Sequence, residues 1–240
     1  MKHLQRDLEH LSREILAMGG LVEDATARAM EALLERDPAA ADRVIAGDRQ
    51  IDLKEIAVEE ECLKILALHQ PVAADLRFIV AALKVNNDLE RMGDFAQNIA
   101  ERARVLSRKD AAEPPAELRA MMERVQSMVV RSLDALVQLD ARLARTVLES
   151  DTEVDAMHRR MYEHLQERMA KNVERIPDQV QYLSVSRYLE RIADLSTNIA
   201  EDVIFTVQGE VIRHRHGVPG SSPWEGDEGR RPKIVPGPGR

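Results

Sequence analysis

A polar stretch of thirteen residues occurs twice in this 240-residue chain, one hundred residues apart. The first copy, at residues 89–101, reads LERMGDFAQNIAE, and the second, at residues 189–201, reads LERIADLSTNIAE; eight of the thirteen positions are identical. The similarity continues upstream with an offset of 103 residues, which pairs Asp48 with Asp151. A repeat of this kind predicts two structural units of about 105 residues that share one plan.

Within each unit, prolines separate long segments that have helical periodicity. In the first segment, the apolar residues from Leu4 to Ala32 follow one another at alternating steps of four and three. This heptad pattern is typical of helices that pack nearly parallel. With the proline breaks, it predicts six long helices, at about residues 2–36, 38–69, 71–109, 114–139, 141–172 and 177–208. The predicted fold is all-α, with two tandem antiparallel three-helix bundles.

The domain boundaries follow from the repeat and from composition. We expect residues 1–110 to form the first three-helix unit and residues 111–208 the second. Residues 209–240 hold 7 of the 11 glycines and 5 of the 10 prolines. Such a segment has too little apolar surface to offset the entropy of ordering, so we expect a disordered tail.

Charge and apolar content exclude several classes of protein. A net charge of −8 argues against a general nucleic-acid surface, which needs clustered Lys and Arg. The longest apolar run, FIVAAL, is too short to span a bilayer, and the charged start lacks a secretory signal. The single cysteine, Cys62, allows no disulfide within the chain and is expected in the core. We therefore expect a cytoplasmic protein without membrane insertion.

Carboxylates recur at a spacing that places them on one helix face. Each copy of the repeated stretch contains an acidic pair four residues apart, on the side opposite the apolar seam. The preceding helix of each unit also carries two aspartates four residues apart. The four pairs are Asp48 and Asp52, Glu90 and Asp94, Asp151 and Asp155, and Glu190 and Asp194. A solvated helix face is the simplest explanation of any single pair.

The heights of these pairs favour a further interpretation. The midpoint of Asp52 and Glu90 is residue 71, which is the predicted turn at Pro71. The midpoint of Asp155 and Glu190 falls in the second predicted turn, between residues 172 and 173. In an antiparallel hairpin the two pairs of each unit then lie at equal height. The sequence leaves open whether they face each other.

If the pairs converge, four carboxylates share a small volume in each unit. Their mutual repulsion has to be relieved by protons, by basic partners or by a hard cation. Arg91 and Arg191 are candidates for partial neutralisation. Oxygen-rich clusters of this kind suit Mg²⁺, Mn²⁺, Ca²⁺ or bridged iron.

The doubled motif, preceded each time by two aspartates four residues apart, resembles the PhoU family of phosphate-signalling regulators. Supporting stretches are MGGLVEDATARAMEALLERD, EEECLKILALHQPVAADLRFIVAALKVNNDLERMGD and SRYLERIADLSTNIAEDVIF. The resemblance covers about residues 4–208. It implies a non-enzymatic negative regulator that restrains a phosphate ABC transporter and its sensor histidine kinase when phosphate is ample.

The resemblance also implies surface metal clusters. Carried over by motif, the candidate ligands are Asp48, Asp52, Glu90, Asp94, Asp151, Asp155, Glu190 and Asp194. The expected metals are divalent or iron cations: Mg, Mn, Fe or Zn. We also expect a homodimer and no nucleic-acid partner.

Two other functions stay open at this point. A carboxylate-bridged di-metal enzyme on a helical bundle is one, although the relevant helices lack the Glu-x-x-His pairs that such enzymes use. A metal-free structural scaffold is the other, with the acidic pairs as relics of duplication. His158, one turn after Asp155, is a possible additional ligand, but a solvated surface histidine is the simpler expectation. Asn98 and Asn198 are candidates for orienting the ligands.

Overall fold

The structure, a computed structural model, describes residues 2–209. The predicted tail at 209–240 lies outside this range except for its first residue. The described chain is all-α, as predicted. Its long helices are α1 (Lys2–Glu35), α2 (Pro38–His69), α3 (Ala73–Leu106), α4 (Glu117–Gln138), α5 (Ala141–Lys171) and α6 (Ile176–Gln208), and a 3₁₀ turn at Val173–Arg175 precedes α6.

The second helix of each unit begins in the same way. Asp37 and Asp140 are the residues that cap α2 and α5. Each carboxylate accepts hydrogen bonds from the backbone N–H groups two and three residues later, at 2.8–3.2 Å. These bonds satisfy donors that a helix start otherwise leaves unpaired. The shared cap is therefore a local reason why the repeat folds twice into the same hairpin.

Three predicted helix boundaries differ from the structure by two residues or more: the start and end of α3 and the start of α4. The helix expected from residue 71 begins at Ala73, because Gln70 is left-handed with φ 45° and Val72 is extended. The connection between α3 and α4 is longer than predicted and spans residues 107–116. Side chains bind the carbonyls of this segment.

Four helices form the centre of the molecule and two lie outside it. Helices α1, α3, α4 and α6 each pack on three other long helices, whereas α2 packs only on α1 and α3, and α5 only on α4 and α6. The core is aliphatic, and Cys62 is fully buried in it, as predicted. Within residues 2–209 we find no helix with the length and apolar character needed to cross a membrane.

The two units join mainly through α3 and α6, which run antiparallel. Lys84 Nζ lies 3.2 Å from Asp202 Oδ1, and the Asp202 side chain is only 2% exposed. Arg77 Nε donates to the Thr206 carbonyl at 3.3 Å. The rings of Phe95 and Tyr188 stack with centroids 5.9 Å apart. Polar and aromatic contacts thus fix the register of one unit on the other.

The linker between the units is held by side chains from several helices. Four consecutive carbonyls, at residues 110–113, accept hydrogen bonds from Arg175, Arg36, Tyr182 and Arg168. The Ala112 N–H donates to Asp178 Oδ2 at 2.8 Å. Four carbonyls and one N–H group of the linker are thereby hydrogen-bonded although this part of the chain is not helical.

The contact between α2 and α3 is unusually close at Gly93. A Cβ atom on Gly93 would lie 2.9 Å from Ile51 Cδ1. The equivalent residues of the second unit are Ala193 and Val154. The first unit fills this contact with a large isoleucine against a glycine. The second unit fills it with a smaller valine against an alanine.

We expect Gly93→Ala alone to lower the free energy of unfolding by about 1 kcal/mol, because overpacking exceeds the gain in helix propensity. In an Ile51→Val background, which copies the second unit, the same change should be neutral or stabilising. Chemical denaturation of the four proteins of the cycle measures the coupling. Equal effects of Gly93→Ala in both backgrounds would contradict this account.

Candidate cation-binding site

In the first unit, the four predicted carboxylates form one acidic cluster between α2 and α3. Helix α2 supplies Asp48 and Asp52, and helix α3 supplies Glu90 and Asp94. Asp48 Oδ1 lies against the backbone of α3, 3.6 Å from the position that a Cβ atom on Gly93 would occupy. Asp48 and Glu90 are half-buried, whereas Asp52 and Asp94 are exposed. We call these four residues the first acidic cluster.

Electrostatics show that the members of this cluster affect one another. Burial, and next the charges of Asp52 and Asp94, raise the pKa of Asp48 to about 6. Burial and the neighbouring carboxylates, Asp94 first among them, also raise the pKa of Glu90. Asp94 is exposed by surface area but still partly desolvated, and this desolvation together with the charge of Asp52 raises the pKa of Asp94. The two pairs of the first unit, whose mutual orientation the sequence leaves open, therefore lie close enough to repel one another.

We call the four predicted carboxylates of the second unit, Asp151, Asp155, Glu190 and Asp194, the second acidic cluster; Arg191 partly neutralises Glu190 and Asp194. Burial raises the pKa of Glu190 and of Asp194, with further contributions from Asp194 and Asp155 respectively. Arg191 opposes both shifts. Arg191 Nη1 lies 3.2 Å from Asp194 Oδ2, and Arg191 Nε lies 3.9 Å from Glu190 Oε2.

The two arginines of the repeat therefore play different parts. Arg191 contacts the second cluster as hypothesised, but Arg91 Nη1 lies 3.8 Å from Asp88 Oδ1. The second unit has Tyr188 at the position equivalent to Asp88, so Arg191 has no acidic alternative there. The first cluster consequently keeps more uncompensated negative charge than the second.

Two neighbours of the clusters differ from simple expectation. His158 is not a freely solvated histidine: it is half-buried, and its Nδ1 lies 2.8 Å from Ser186 Oγ. Together with Asp155 it lines an open cleft of about 560 Å³ beside the second cluster. Asn98 donates to the backbone carbonyl of Asp94 at 2.8 Å rather than to a carboxylate.

Comparison with known proteins places this arrangement in a family. The family profile described as the PhoU domain matches the chain twice, at residues 15–103 and 118–203. The chain belongs to the PhoU family. The two matches lie within α1–α3 and α4–α6.

Individual PhoU proteins are similar along most of the chain. The phosphate-specific transport system accessory protein PhoU homolog of Aquifex aeolicus is 38% identical over 213 residues, which is 89% of this chain and 96% of the relative. The homolog of Pseudomonas aeruginosa is 39% identical over 87% of this chain and 86% of the relative.

Solved PhoU structures share the fold. The crystal structure of PhoU from Pseudomonas aeruginosa has a TM-score of 0.83 and 38% identity, and the match covers 86% of this chain and 99% of that one. The phosphate transport system regulatory protein PhoU of Streptococcus pneumoniae has a TM-score of 0.82 and 29% identity over 87% and 99%. The resemblance to the PhoU family drawn from the sequence is thereby confirmed, and so is the fold class.

The donor chemistry of the clusters suits a hard cation, but no ready-made ligand set is present. Within residues 2–209, no three His, Cys, Asp or Glu side chains are grouped closely enough to hold one metal ion. The carboxylates of the first cluster are nevertheless near enough to raise one another's pKa. Asp52 and Asp94 are exposed, so their side chains have room to rotate. Side-chain rotation toward a bound cation would relieve this repulsion. Metal binding by this PhoU-family chain stays a prediction.

The raised pKa of Asp48 predicts a pH dependence of stability. Its folded pKa of about 6 lies above the value of about 3.9 for an unfolded aspartate, so the native state binds more protons between these values. The metal-free protein should therefore lose stability as pH rises from about 4 to about 6, by about 1 kcal/mol from this partly solvated group.

Chemical denaturation in chelator, at several pH values, measures this loss for wild type and for Asp48→Asn. The substitution should flatten the fall between pH values of about 4 and 6. Asp42→Asn, which alters an exposed aspartate of the same helix beside Arg104, serves as the control. Parallel curves for wild type and Asp48→Asn would show that Asp48 does not carry the effect.

Proposed function

We propose that this protein is a regulatory accessory protein of a phosphate transport system. In this role it restrains phosphate uptake and the phosphate-starvation response when phosphate is ample. The observation that carries the proposal is similarity over 87–90% of the chain, at 36–39% identity, to proteins named phosphate-specific transport system accessory protein PhoU homolog. The same tandem fold in a protein named a phosphate transport system regulatory protein adds support.

The proposed partners are a phosphate ABC transporter and a sensor histidine kinase, and the proposed location is the cytoplasm. The molecule suits an adaptor, because two similar units present two similar but unequally charged faces. No reaction chemistry is needed for this role. A homodimer is also part of the proposal.

We further propose that the acidic clusters bind cations such as Mg²⁺, Mn²⁺, iron or Zn²⁺. Asp48, Asp52, Glu90 and Asp94 would hold the cation of the first unit. Asp151, Asp155, Glu190 and Asp194 would hold that of the second. The support is the half-buried acidic cluster itself, whose repulsion a cation offsets.

Deletion of the gene tests the regulatory role. In phosphate-rich medium, the null strain should express phosphate-starvation genes and take up phosphate at a level near that of starved wild type. Restoring the wild-type gene should restore repression. Repression that is unchanged in the null strain contradicts the proposal. A variant altered at Asp94 and Asp194 then shows whether the acidic clusters contribute.

A further inference from the structure

Helix α2 carries a second heptad pattern on the face that points to solvent. Seven exposed residues follow one another at alternating steps of three and four, and three of them are large and apolar. Leu53, Ile56 and Leu63 are 58%, 50% and 54% exposed. We call the seven residues the outer seam of α2; they are Ala46, Arg49, Leu53, Ile56, Glu60, Leu63 and Ala67. A heptad pattern of this kind is typical of a helix that packs on another helix.

The outer seam is not used in the fold of the chain itself. The residues that α2 buries are a different set: Ala41, Val44, Ile51, Val58, Cys62 and Ile65. At the offset of 103 residues, the three large apolar residues of the seam correspond to Ala156, Arg159 and Gln166 on α5. Exposed apolar patches rimmed by polar residues mark interaction sites. The first unit therefore has a contact surface that the shared plan of the two units does not explain.

The order of residues in the outer seam makes it complementary to itself. If two copies of α2 pack antiparallel about a two-fold axis between residues 54 and 55, each seam residue faces the one that lies equally far beyond the axis. The facing pairs, each formed twice, are Leu53 with Ile56, Arg49 with Glu60, and Ala46 with Leu63. Opposite charges thus meet on both sides of an apolar centre.

The charges of the seam also select the orientation. Parallel packing would place Arg49 beside its own copy and Glu60 beside its own copy, so like charges would meet. Neither residue forms an ion pair with another residue in the described part of the chain, so both are available. One flank opposes the antiparallel contact, because Asp52 comes near the partner subunit's Glu59. We therefore expect a dissociation constant on the order of micromolar.

We propose that the outer seam of α2 is the surface through which two copies of this chain associate. The proposal rests on the homodimer of the proposed function and specifies its interface, an antiparallel contact between the two α2 helices about a two-fold axis. Leu53 and Ile56 leave water at the centre of this contact, which supplies its driving force. Arg49 and Glu60 fix its register.

Charge reversal tests the register. Arg49→Glu and Glu60→Arg should each raise the dissociation constant of the dimer by at least about tenfold, because each change creates two like-charge contacts. The double variant should associate like wild type. An equimolar mixture of the two single variants should also associate, since their seams carry opposite charges at facing positions. Sedimentation velocity of the full chain, from about 0.1 to 100 µM, measures these constants. A double variant that associates as weakly as either single variant would overturn the antiparallel register.

Leucine substitutions test the apolar centre. Leu53→Ser should raise the dissociation constant by at least about tenfold, because it removes an apolar side chain from both halves of the contact. Leu68→Ser is the matched control: Leu68 is 66% exposed on the same helix but lies outside the seam, so this variant should associate like wild type. All the substituted residues are exposed, so the thermal melts of the variants should stay close to that of wild type.

The outcomes separate this interface from the homodimer and from the regulatory role. A dimer that no seam variant weakens would overturn the interface and leave the homodimer standing. A monomer at every concentration would overturn both, and the seam would then be open to a helix of another protein. The null-strain experiment tests the regulatory role independently of either result.

Discussion

Replacing Asp178 with alanine is expected to destabilise this protein by about 3 kcal/mol. The Asp178 side chain is 1% exposed. It bonds Arg108, lies 3.6 Å from Arg175, and accepts the Ala112 N–H at 2.8 Å. The substitution removes charge-assisted hydrogen bonds and leaves a backbone donor of the linker unpaired. Both losses act where the two units are joined.

Thermal and chemical denaturation of Asp178→Ala and of Asp110→Ala measure this effect. Asp110 also lies near Arg108 and Arg175, but its side chain is 73% exposed. Its loss should cost no more than about 1 kcal/mol, as is usual for surface ion pairs. Similar losses from both substitutions would show that burial of Asp178 does not determine the stability of the linker.

Adding a cation to metal-free protein is expected to stabilise it by about 2.7 kcal/mol at a hundredfold excess over the dissociation constant. This follows if the cation binds the folded state alone. The effect should come mainly from the first unit, because Arg191 already compensates the second cluster whereas Arg91 contacts Asp88. Thermal melts with Mg²⁺, Mn²⁺, Fe or Zn²⁺, together with elemental analysis, measure it.

Substitutions at equivalent positions separate the two clusters. Asp94→Asn should remove more of the bound metal than Asp194→Asn, and the double variant should remove most of it. In chelator, Asp94→Asn should be neutral or mildly stabilising, because it relieves repulsion from Asp52. The gain should be smaller for Asp194→Asn, since it also removes the contact with Arg191. If no metal shifts the wild-type melt and both variants are less stable in chelator, the clusters are structural.

The features that were predictable from sequence are those that depend on local patterns. The heptad seam and the prolines gave all six helices, because helix formation depends on residues within a few turns of each other. The equal heights of Asp52 and Glu90 about the turn were predictable in the same way, although the sequence left open whether the two side chains face each other. Only the repeat period and helix geometry are needed for such an inference.

Features that depend on contacts between distant residues were not predictable. The bonds of Arg36 and Tyr182 to the linker join residues at least 70 positions apart. Arg91 and Arg191 have different partners because position 88 is an aspartate and position 188 is a tyrosine. Both positions lie just before the repeated stretch, so the repeat itself does not reveal the difference.

The peripheral position of α2 and α5 determines how the molecule opens locally. Each outer helix packs on two long helices, whereas each inner helix packs on three. Detachment of an outer helix therefore exposes less core, so the outer helices belong to the low end of the range of local unfolding free energies. Each outer helix also carries two of the four carboxylates of the acidic cluster in its unit. A cation shared between α2 and α3 would hold an easily detached outer helix against the centre of the molecule. A partner that binds this face would then respond to how often α2 detaches, and no change in the folded conformation would be needed.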